Sequence, residues 1–289
     1  MINSTGLRYS IILVSIPNSK APFFIGSQIR GALGYALKRV TCINPKFTCD
    51  GCFGSKECLY YEFYELKNSY RNYRLDFRLG QAGYEFGLYL FEDACNSVAY
   101  MVSALYIMLS QYGLGGCKFN DFNIFVNGHN VLENGAIILP NELVKVAKFD
   151  SFSSVVNLKL ITPLRIKKLN RFIRDDSLEL RDILISIYDK IQKIQHLNSR
   201  YNIQTLAQIT NKNLRYCELR RHSNRQKVSM NLGGLIGNIR IENLDLQSYQ
   251  ALKLAEILGV GKQCVFGLGK IEVERSEEHT SELQSPCNI

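Results

Sequence analysis

The chain carries the stretch Gly259-Val-Gly-Lys-Gln-Cys-Val-Phe-Gly-Leu-Gly-Lys270 between a helical pattern at 246–258 and a strand pattern at 271–273. Glycine lets a backbone approach a phosphate closely, and the N–H groups of such a run, together with two lysines, suit a polyanion. A P-loop is excluded because it runs from a strand into a helix and needs Ser or Thr after the lysine, where this chain has Ile271. The stretch therefore indicates a polyanionic partner and no nucleotide cofactor.

Composition and charge narrow the class of protein. The chain has 289 residues, 46% of them apolar, which indicates a globular protein large enough for two domains. Its net charge of +9 favours a polyanion or an anionic membrane surface as partner. No run of 18 apolar residues is present, so we expect no membrane span, and the amino-terminal segment is a poor signal peptide. Nine cysteines without a secretion signal indicate thiols or metal ligands in a reducing cytoplasm.

The pattern of apolar residues repeats once along the chain. The first half has strand patterns at 9–16, 75–77, 85–91 and 119–126 and helical patterns at 22–40 and 94–112. The second half has strand patterns at 155–161, 214–219, 234–241 and 271–273 and helical patterns at 177–197, capped by Asp175, Asp176 or Ser177, and 246–258. Because βαββαβ is the ferredoxin-like order, we predict an α+β fold of two tandem ferredoxin-like (RRM-like) domains, at 1–148 and 149–274.

The end of the chain is excluded from this fold. The segment Arg275-Ser-Glu-Glu-His-Thr-Ser-Glu-Leu-Gln-Ser285 resembles a translated sequencing adaptor. We therefore expect residues 275–289 to be an artefact without a structural role.

Four cysteines of the first half form a cluster. Cys42, Cys49, Cys52 and Cys58 have the spacing C-x6-C-x2-C-x5-C, and Gly51 allows a tight turn within the central pair. Four thiolates suit a tetrahedral zinc site or an iron–sulfur cluster, and the alternative is four unliganded thiols in an irregular loop. We predict a structural zinc ion in a small knuckle inserted at 42–58.

Basic residues concentrate in the second half. Residues 159–174 contain six lysines and arginines and no acid, and residues 212–227 contain six against Glu218 alone. One such run alone is typical of a solvated face, but two runs together with Lys262 and Lys270 favour a surface that follows phosphates. Tyrosines and phenylalanines are available to stack on bases.

Several motifs of both halves occur together in one known family. They are Pro22-x3-Gly26-Ser-x-Ile-Arg-Gly-Ala-Leu33, the cysteine cluster followed by Tyr60-x-x-Phe63, Arg221-His-Ser-Asn-Arg-Gln226, Leu232-Gly-Gly-Leu-Ile-Gly237 and Val260–Lys270. With them, residues 8–273 resemble the CRISPR-associated RAMP endoribonucleases that process precursor CRISPR RNA. The resemblance implies two ferredoxin-like domains, a glycine-rich loop that contacts RNA, repeat RNA as partner and subunits of a CRISPR effector complex as further partners.

The resemblance also implies a chemistry. In this family the RNA 2′-hydroxyl attacks the adjacent phosphate without a metal ion, leaving a 2′,3′-cyclic phosphate and a free 5′-hydroxyl, which requires a base, an acid and a cation. Relatives often place a histidine at or after the first helix and another before Val-Gly-Lys, but this chain has no histidine before His129 and has Gly259 at the second position. The resemblance leaves three catalytic candidates: Tyr35, Lys38 and His222.

The candidate residues each have a plainer interpretation. Tyr35 and Lys38 lie three residues apart on one helical face and are also compatible with simple coverage of that helix, while His222 is compatible with an RNA contact. Positive neighbours of His222 would keep its imidazole neutral and available as a base. The predicted RNA contacts are Arg30, Arg221, Arg225, Gly261, Lys262, Gly267, Gly269 and Lys270.

Two functions follow. The first is an endoribonuclease that cuts CRISPR repeat RNA to produce guide RNAs, and the near-complete match to the processing family favours it. The second is a non-catalytic RAMP subunit that holds guide RNA in an effector complex, and the missing histidine favours it. A metal-stabilised nucleic-acid-binding protein outside CRISPR systems is a third interpretation.

Overall fold

The computed structural model describes residues 6–67, 70–133, 135–149, 151–197, 203–223 and 228–276. Each half of the chain folds into an antiparallel sheet covered by two helices, in the predicted order βαββαβ. Each sheet has its first strand between the third and the fourth, and its second strand beside the third. Within the described part of the chain, no helix is both long and apolar enough to cross a membrane.

The first half is built on the central strand β1. Its strands are β1 (Arg8–Ile16), β2 (Tyr73–Asp76), β3 (Tyr84–Phe91), β4 (Asn123–Val126), β5 (His129–Asn130), β6 (Leu132–Glu133), β7 (Ala136–Ile137) and β8 (Lys145–Val146). Along β1, Ile12 and Val14 are buried beneath the helices while Leu13 is exposed, the alternation expected of a half-buried strand. The helices are α1 (Gly26–Thr41) and α2 (Val98–Ile107).

The second half repeats this arrangement with longer strands. Its strands are β9 (Val156–Leu164), β10 (Lys167–Lys168), β11 (Arg171–Phe172), β12 (Gln208–Cys217), β13 (Arg220–Ser223), β14 (Val228–Asn231), β15 (Gly234–Glu242) and β16 (Ile271–Arg275). The four-stranded sheet has the order β12-β15-β9-β16, and β13 pairs with β14 in a separate hairpin. The helices are α3 (Leu180–Ile194) and α4 (Leu246–Leu258).

Several predicted boundaries are wrong for identifiable reasons. Helix α3 begins at Leu180 rather than 177, because Glu179 and Asp182 form a reciprocal capping box; Asp175 instead accepts the Ser177 N–H in the preceding turn. The helix predicted at 94–112 is a 3₁₀ segment, α2 and a π-helical segment in succession. The strand predicted from 119 begins at Asn123, because the Phe119 N–H bonds to the Leu109 carbonyl at the end of that helical run.

The chain ends differ slightly from expectation. Arg275, expected to fall outside the fold, pairs with Val156 as the last residue of β16, and the Ser276 N–H donates to the Val155 carbonyl. Residues 277–289 lie outside the described residues.

A buried arginine joins the two halves. Arg74 of β2 is 1% exposed, and its guanidinium donates to the carbonyls of Glu256 and Ile257 at the end of α4. It also forms an ion pair with Asp76 at 2.9 Å, and Asp76 forms a second one with Lys270 at 2.7 Å. The last carbonyls of a helix lack partners within the helix, so a cation from the other half is well placed there.

Candidate functional site

A cleft of about 1060 Å³ lies between the two halves, and we call it the central cleft. Helix α1 forms one side, the start of the β13–β14 hairpin the other, and the segment after the cysteines closes one end. The cleft brings together four residues predicted from the sequence: Arg30, Tyr35, Lys38 and Arg221. The first three come from one helix and the fourth from a strand nearly two hundred residues further along the chain.

Helix α1 is suited to this position because its two faces differ. Ile29, Leu33 and Leu37 recur at helical spacing and are buried in the first core. At the start of the helix, a Cβ on Gly26 would lie 2.0 Å from the Phe266 carbonyl oxygen, so only glycine permits this contact with the glycine-rich loop (residues 259–270). Helix α1 begins at Gly26 and not at the predicted residue 22.

Two arginines share one aromatic ring in the cleft. The guanidinium carbons of Arg30 and Arg221 lie 4.8 and 4.4 Å from the centroid of the Phe266 ring, and Arg30 also lies 4.8 Å from the Tyr64 ring. The buried Nε atoms of both arginines lack a hydrogen-bond partner, and neither arginine makes an ion pair with a described residue. Burial, followed by the charge of Arg30, lowers the pKa of Arg221. Two neighbouring cations with unpaired Nε donors make a candidate anion site, and their contact with RNA stays a prediction.

Lys38 and Tyr35 line the same cleft. The Lys38 Nζ lies 4.8 Å from the Phe47 ring and 5.1 Å from the Tyr60 ring, so its ammonium rests on aromatic faces. Tyr35 is 53% exposed and packs edge-to-face on Tyr112 at 4.8 Å. An ammonium can stabilise developing negative charge or donate a proton, and a phenol can donate a hydrogen bond.

Two predicted residues fall at or beyond the limit of the description. His222 belongs to β13, where it pairs with Ser229, but its side chain lies outside the described part of the structure. Arg225 lies wholly outside the described residues. Their predicted roles stay predictions.

The glycines of the glycine-rich loop face the protein. Gly261, Gly267 and Gly269 have φ values of 78°, 77° and 72°, which favour glycine. A Cβ would lie 2.5 Å from the Arg165 carbonyl oxygen at Gly261, 2.0 Å from the Phe77 ring at Gly267 and 1.8 Å from the Val260 carbonyl oxygen at Gly269. Packing alone therefore accounts for these glycines, and their contact with RNA stays a prediction.

The two lysines of the glycine-rich loop occupy different surroundings. Lys270 is held by Asp76 and its side chain is 16% exposed. Lys262 is exposed and lines a second cleft of about 1160 Å³ with Lys56, Lys193 and His196. The structure thus does not bring either lysine together with Tyr35 and Lys38.

The cysteine loop (residues 42–58) follows α1. Gly51 has φ 63° and the Cys52 N–H bonds to the Cys49 carbonyl at 3.4 Å, as expected for a tight turn between the central cysteines. Cys42, Cys49, Cys52 and Cys58 are all partly exposed free thiols. The donor chemistry suits zinc, but across the described ranges no three His, Cys, Asp or Glu side chains are grouped as a metal ion requires. The zinc ion stays a prediction.

Sequence analysis missed three side chains in or beside the central cleft, namely Phe266, Tyr64 and Glu65. Phe266 was quoted in the glycine-rich stretch without a role, although it stacks with both arginines. Tyr64 donates to the Arg30 carbonyl, and the Tyr60 hydroxyl donates to Glu65 at 2.9 Å. An aromatic in a glycine-rich basic loop is a usable signal, whereas nothing local marks Tyr64 or Glu65.

The fold and the cleft define a class of protein: two βαββαβ units in tandem, with a cationic groove between them. Residues 158–271 match the family described as CRISPR-associated endoribonuclease Cas6, and residues 5–124 match a second model described as an N-terminal domain. The predicted resemblance to CRISPR-associated RAMP-type endoribonucleases is confirmed.

Solved structures show the same fold at low sequence identity. A Cas6 product complex aligns with a TM-score of 0.56 and 16% identity over 93% of this chain and 100% of that chain. Thermus thermophilus Cas6 aligns with a TM-score of 0.54 and 14% identity over 93% of this chain and 99% of that chain. A chain of a partial Cas6-RT-Cas1–Cas2 complex aligns with a TM-score of 0.51 and 13% identity over 95% of this chain and 47% of that chain. No curated protein matches the chain in sequence.

Proposed function

We propose that the protein is a metal-independent endoribonuclease that cuts precursor CRISPR RNA within its repeats and leaves 2′,3′-cyclic phosphate ends. One observation carries this proposal: Tyr35 and Lys38 share the central cleft with the anion site of Arg30 and Arg221. The match of residues 158–271 to the CRISPR-associated endoribonuclease Cas6 family supports a CRISPR RNA as the substrate. The protein acts in the cytoplasm, and subunits of a CRISPR effector complex are further partners.

The groups in the cleft match the steps of the cleavage. A base takes the proton of the 2′-hydroxyl, the O2′–P bond forms, the P–O5′ bond breaks, and an acid gives a proton to O5′. Arg30 and Arg221 hold the phosphate and stabilise the charge that develops on it. Lys38 serves as the acid, and Tyr35 orients the ribose. His222, whose side chain lies outside the described part of the structure, is proposed as the base on sequence grounds alone.

The test uses repeat RNA without metal. Purified protein is incubated with the cognate repeat RNA in EDTA, and the products are analysed for a single cut with a cyclic phosphate end. We expect that product, with circular dichroism confirming that chelation leaves the fold intact. Cleavage that needs added Mg²⁺ would contradict the proposed chemistry.

A specific observation favours a second candidate function, a non-catalytic subunit that holds guide RNA. The Lys38 ammonium lies on two aromatic rings and Tyr35 packs on Tyr112, an arrangement that also suits a binding platform. In that case the same assay shows tight binding and no cut at any pH from 6 to 9.

We also propose that the cysteine loop holds a structural zinc ion outside the reaction. The four thiols and the tight turn at Gly51 support this proposal, although the described thiols would have to move closer together to bind the ion. Its removal would loosen the segment that closes the central cleft.

A further inference from the structure

A lysine is buried beneath the glycine-rich loop. Lys190 of α3 is 4% exposed, and its Nζ donates to the carbonyls of Leu258 and Gly259 at 3.2 and 2.6 Å and to the Cys264 sulfur at 2.9 Å. No carboxylate pairs with it in the described part of the chain. Burial lowers its pKa, and the sulfur opposes that shift. Burying a charge without a carboxylate partner is costly, so a buried lysine at this position suggests a specific role.

A second side chain of α3 binds the same loop one turn earlier. Ser186 precedes Lys190 by four residues, so both lie on one helical face. The Ser186 hydroxyl oxygen accepts the Gly261 N–H at 2.9 Å. Together the two side chains fix the loop where it leaves α4, between Leu258 and Gly261.

The contacts with α3 act on the start of the loop, whereas its later part is held by other bonds, such as those from the Lys262 N–H to the Arg165 carbonyl and from the Gly269 N–H to the Pro163 carbonyl of β9. Gly259 and Gly261 have φ values of 69° and 78°, and the Gly259 carbonyl and the Gly261 N–H are each bonded to a side chain of α3. Without the ammonium, two buried carbonyls and the sulfur lose their donor. The loop would then populate other conformations, and a ligand that needs the native one binds more weakly in proportion.

We propose that Lys190 and Ser186 are positioning residues that hold the glycine-rich loop in its RNA-binding conformation. The proposal rests on the proposed function, because it assumes that this loop contacts the RNA. Lys190 does not reach the surface and acts only through the loop backbone.

The test separates loop order from RNA binding. The first measurement is hydrogen exchange of amides 259–269 without RNA, and the second is the affinity for repeat RNA by fluorescence anisotropy. For Lys190→Ala we expect faster exchange in the loop and an affinity roughly tenfold to a hundredfold lower, the equivalent of a hydrogen bond to a charged donor. Ser186→Ala should act in the same direction and to a smaller extent. Ile187→Val, a core change on the same helix that removes no donor, should change neither measurement.

Chemical rescue distinguishes positioning from a general loss of packing. Propylammonium fits the space left by Lys190→Ala and supplies N–H donors, whereas tetramethylammonium at equal concentration supplies none. We expect propylammonium alone to restore both slow exchange and affinity. Unchanged loop exchange in both variants, or equal rescue by the two amines, overturns the proposal. Faster exchange with unchanged affinity also overturns it. If the wild-type protein binds no repeat RNA, the proposed function fails, while exchange and its rescue still decide the role of Lys190.

Discussion

Replacing Arg221 with methionine should raise the free energy of unfolding of the isolated protein or leave it unchanged. The same substitution should lower the affinity of the protein for RNA. The guanidinium carbons of Arg30 and Arg221 are 4.8 and 4.4 Å from the same ring centroid, so they are at most 9.2 Å apart. At an effective permittivity of 20, two unit charges at this distance repel by about 2 kcal/mol, less where water screens them. The substitution removes this repulsion and the unpaired Nε atom, and it loses a cation–π contact of about 0.5–1 kcal/mol.

The effect on RNA binding has the opposite sign. If the pair holds a phosphate, the loss of one charge-assisted contact lowers affinity by about 1.5–3 kcal/mol, or roughly tenfold to a hundredfold. The slope of log affinity against log salt should fall by about 0.7, the value for one contact with a single-stranded phosphate.

Two measurements on matched variants check this prediction. Urea unfolding gives the free energy of unfolding, and RNA titrations at several salt concentrations give the affinity and its slope. Arg8→Gln removes a charge from an exposed ion pair with Glu92 and serves as the control for net charge. A loss of more than about 2 kcal/mol of stability in Arg221→Met, with RNA affinity equal to that of the control, would refute the anion site.

Four further outcomes are expected. Lys38→Met should lower the single-turnover cleavage rate by about a hundredfold to ten thousandfold, the range for general acid catalysis, with little change in RNA affinity; an equal loss in both would indicate a binding role. Gly267→Ala should lower the melting temperature, because the added Cβ would lie 2.0 Å from the Phe77 ring. The control Gly31→Ala in α1, where nothing lies within 4 Å of the added Cβ, should raise the free energy of unfolding by about 0.5–1 kcal/mol. Elemental analysis should find about one zinc per chain, lost in Cys49→Ser, and its absence from protein purified without chelator would exclude the knuckle. Folding lowers the pKa of Lys190, so the unfolded state binds more protons than the native state. The free energy of unfolding should therefore rise as pH increases from the native pKa of Lys190 towards about 10.4, the ordinary value for lysine. The difference in free energy of unfolding between wild type and Lys190→Met should show this rise, and a difference that does not change with pH would contradict it.

The local pattern of apolar residues was sufficient to predict most helices and strands, because alternation in strands and helical spacing in helices follow directly from which side chains are buried. Ile12 and Val14 on β1 and the Ile29, Leu33 and Leu37 stripe of α1 are examples, and the repeated βαββαβ order followed from them. The hairpin of β13 and β14 was missed because its strands are short and polar.

The site was predictable in part. Tyr35 and Lys38 were chosen from one helix, and the family resemblance supplied Arg30 and Arg221, yet their meeting in one cleft depends on how the halves pack. Lys270 could not be distinguished from Lys262 by sequence, because its partner Asp76 lies on a strand of the other half. The role of Lys190 depends likewise on contacts 68 to 74 residues away.

The buried arginine between the halves has a mechanical consequence. Rotating one half to open the central cleft would pull Arg74 from the carbonyls at the end of α4 and break the Asp76–Lys270 pair, leaving largely buried charged groups without partners. These contacts therefore oppose a change in the width of the central cleft. If the proposed function is right, we expect the shape and pliability of the RNA strand, as well as its bases, to influence which transcripts bind.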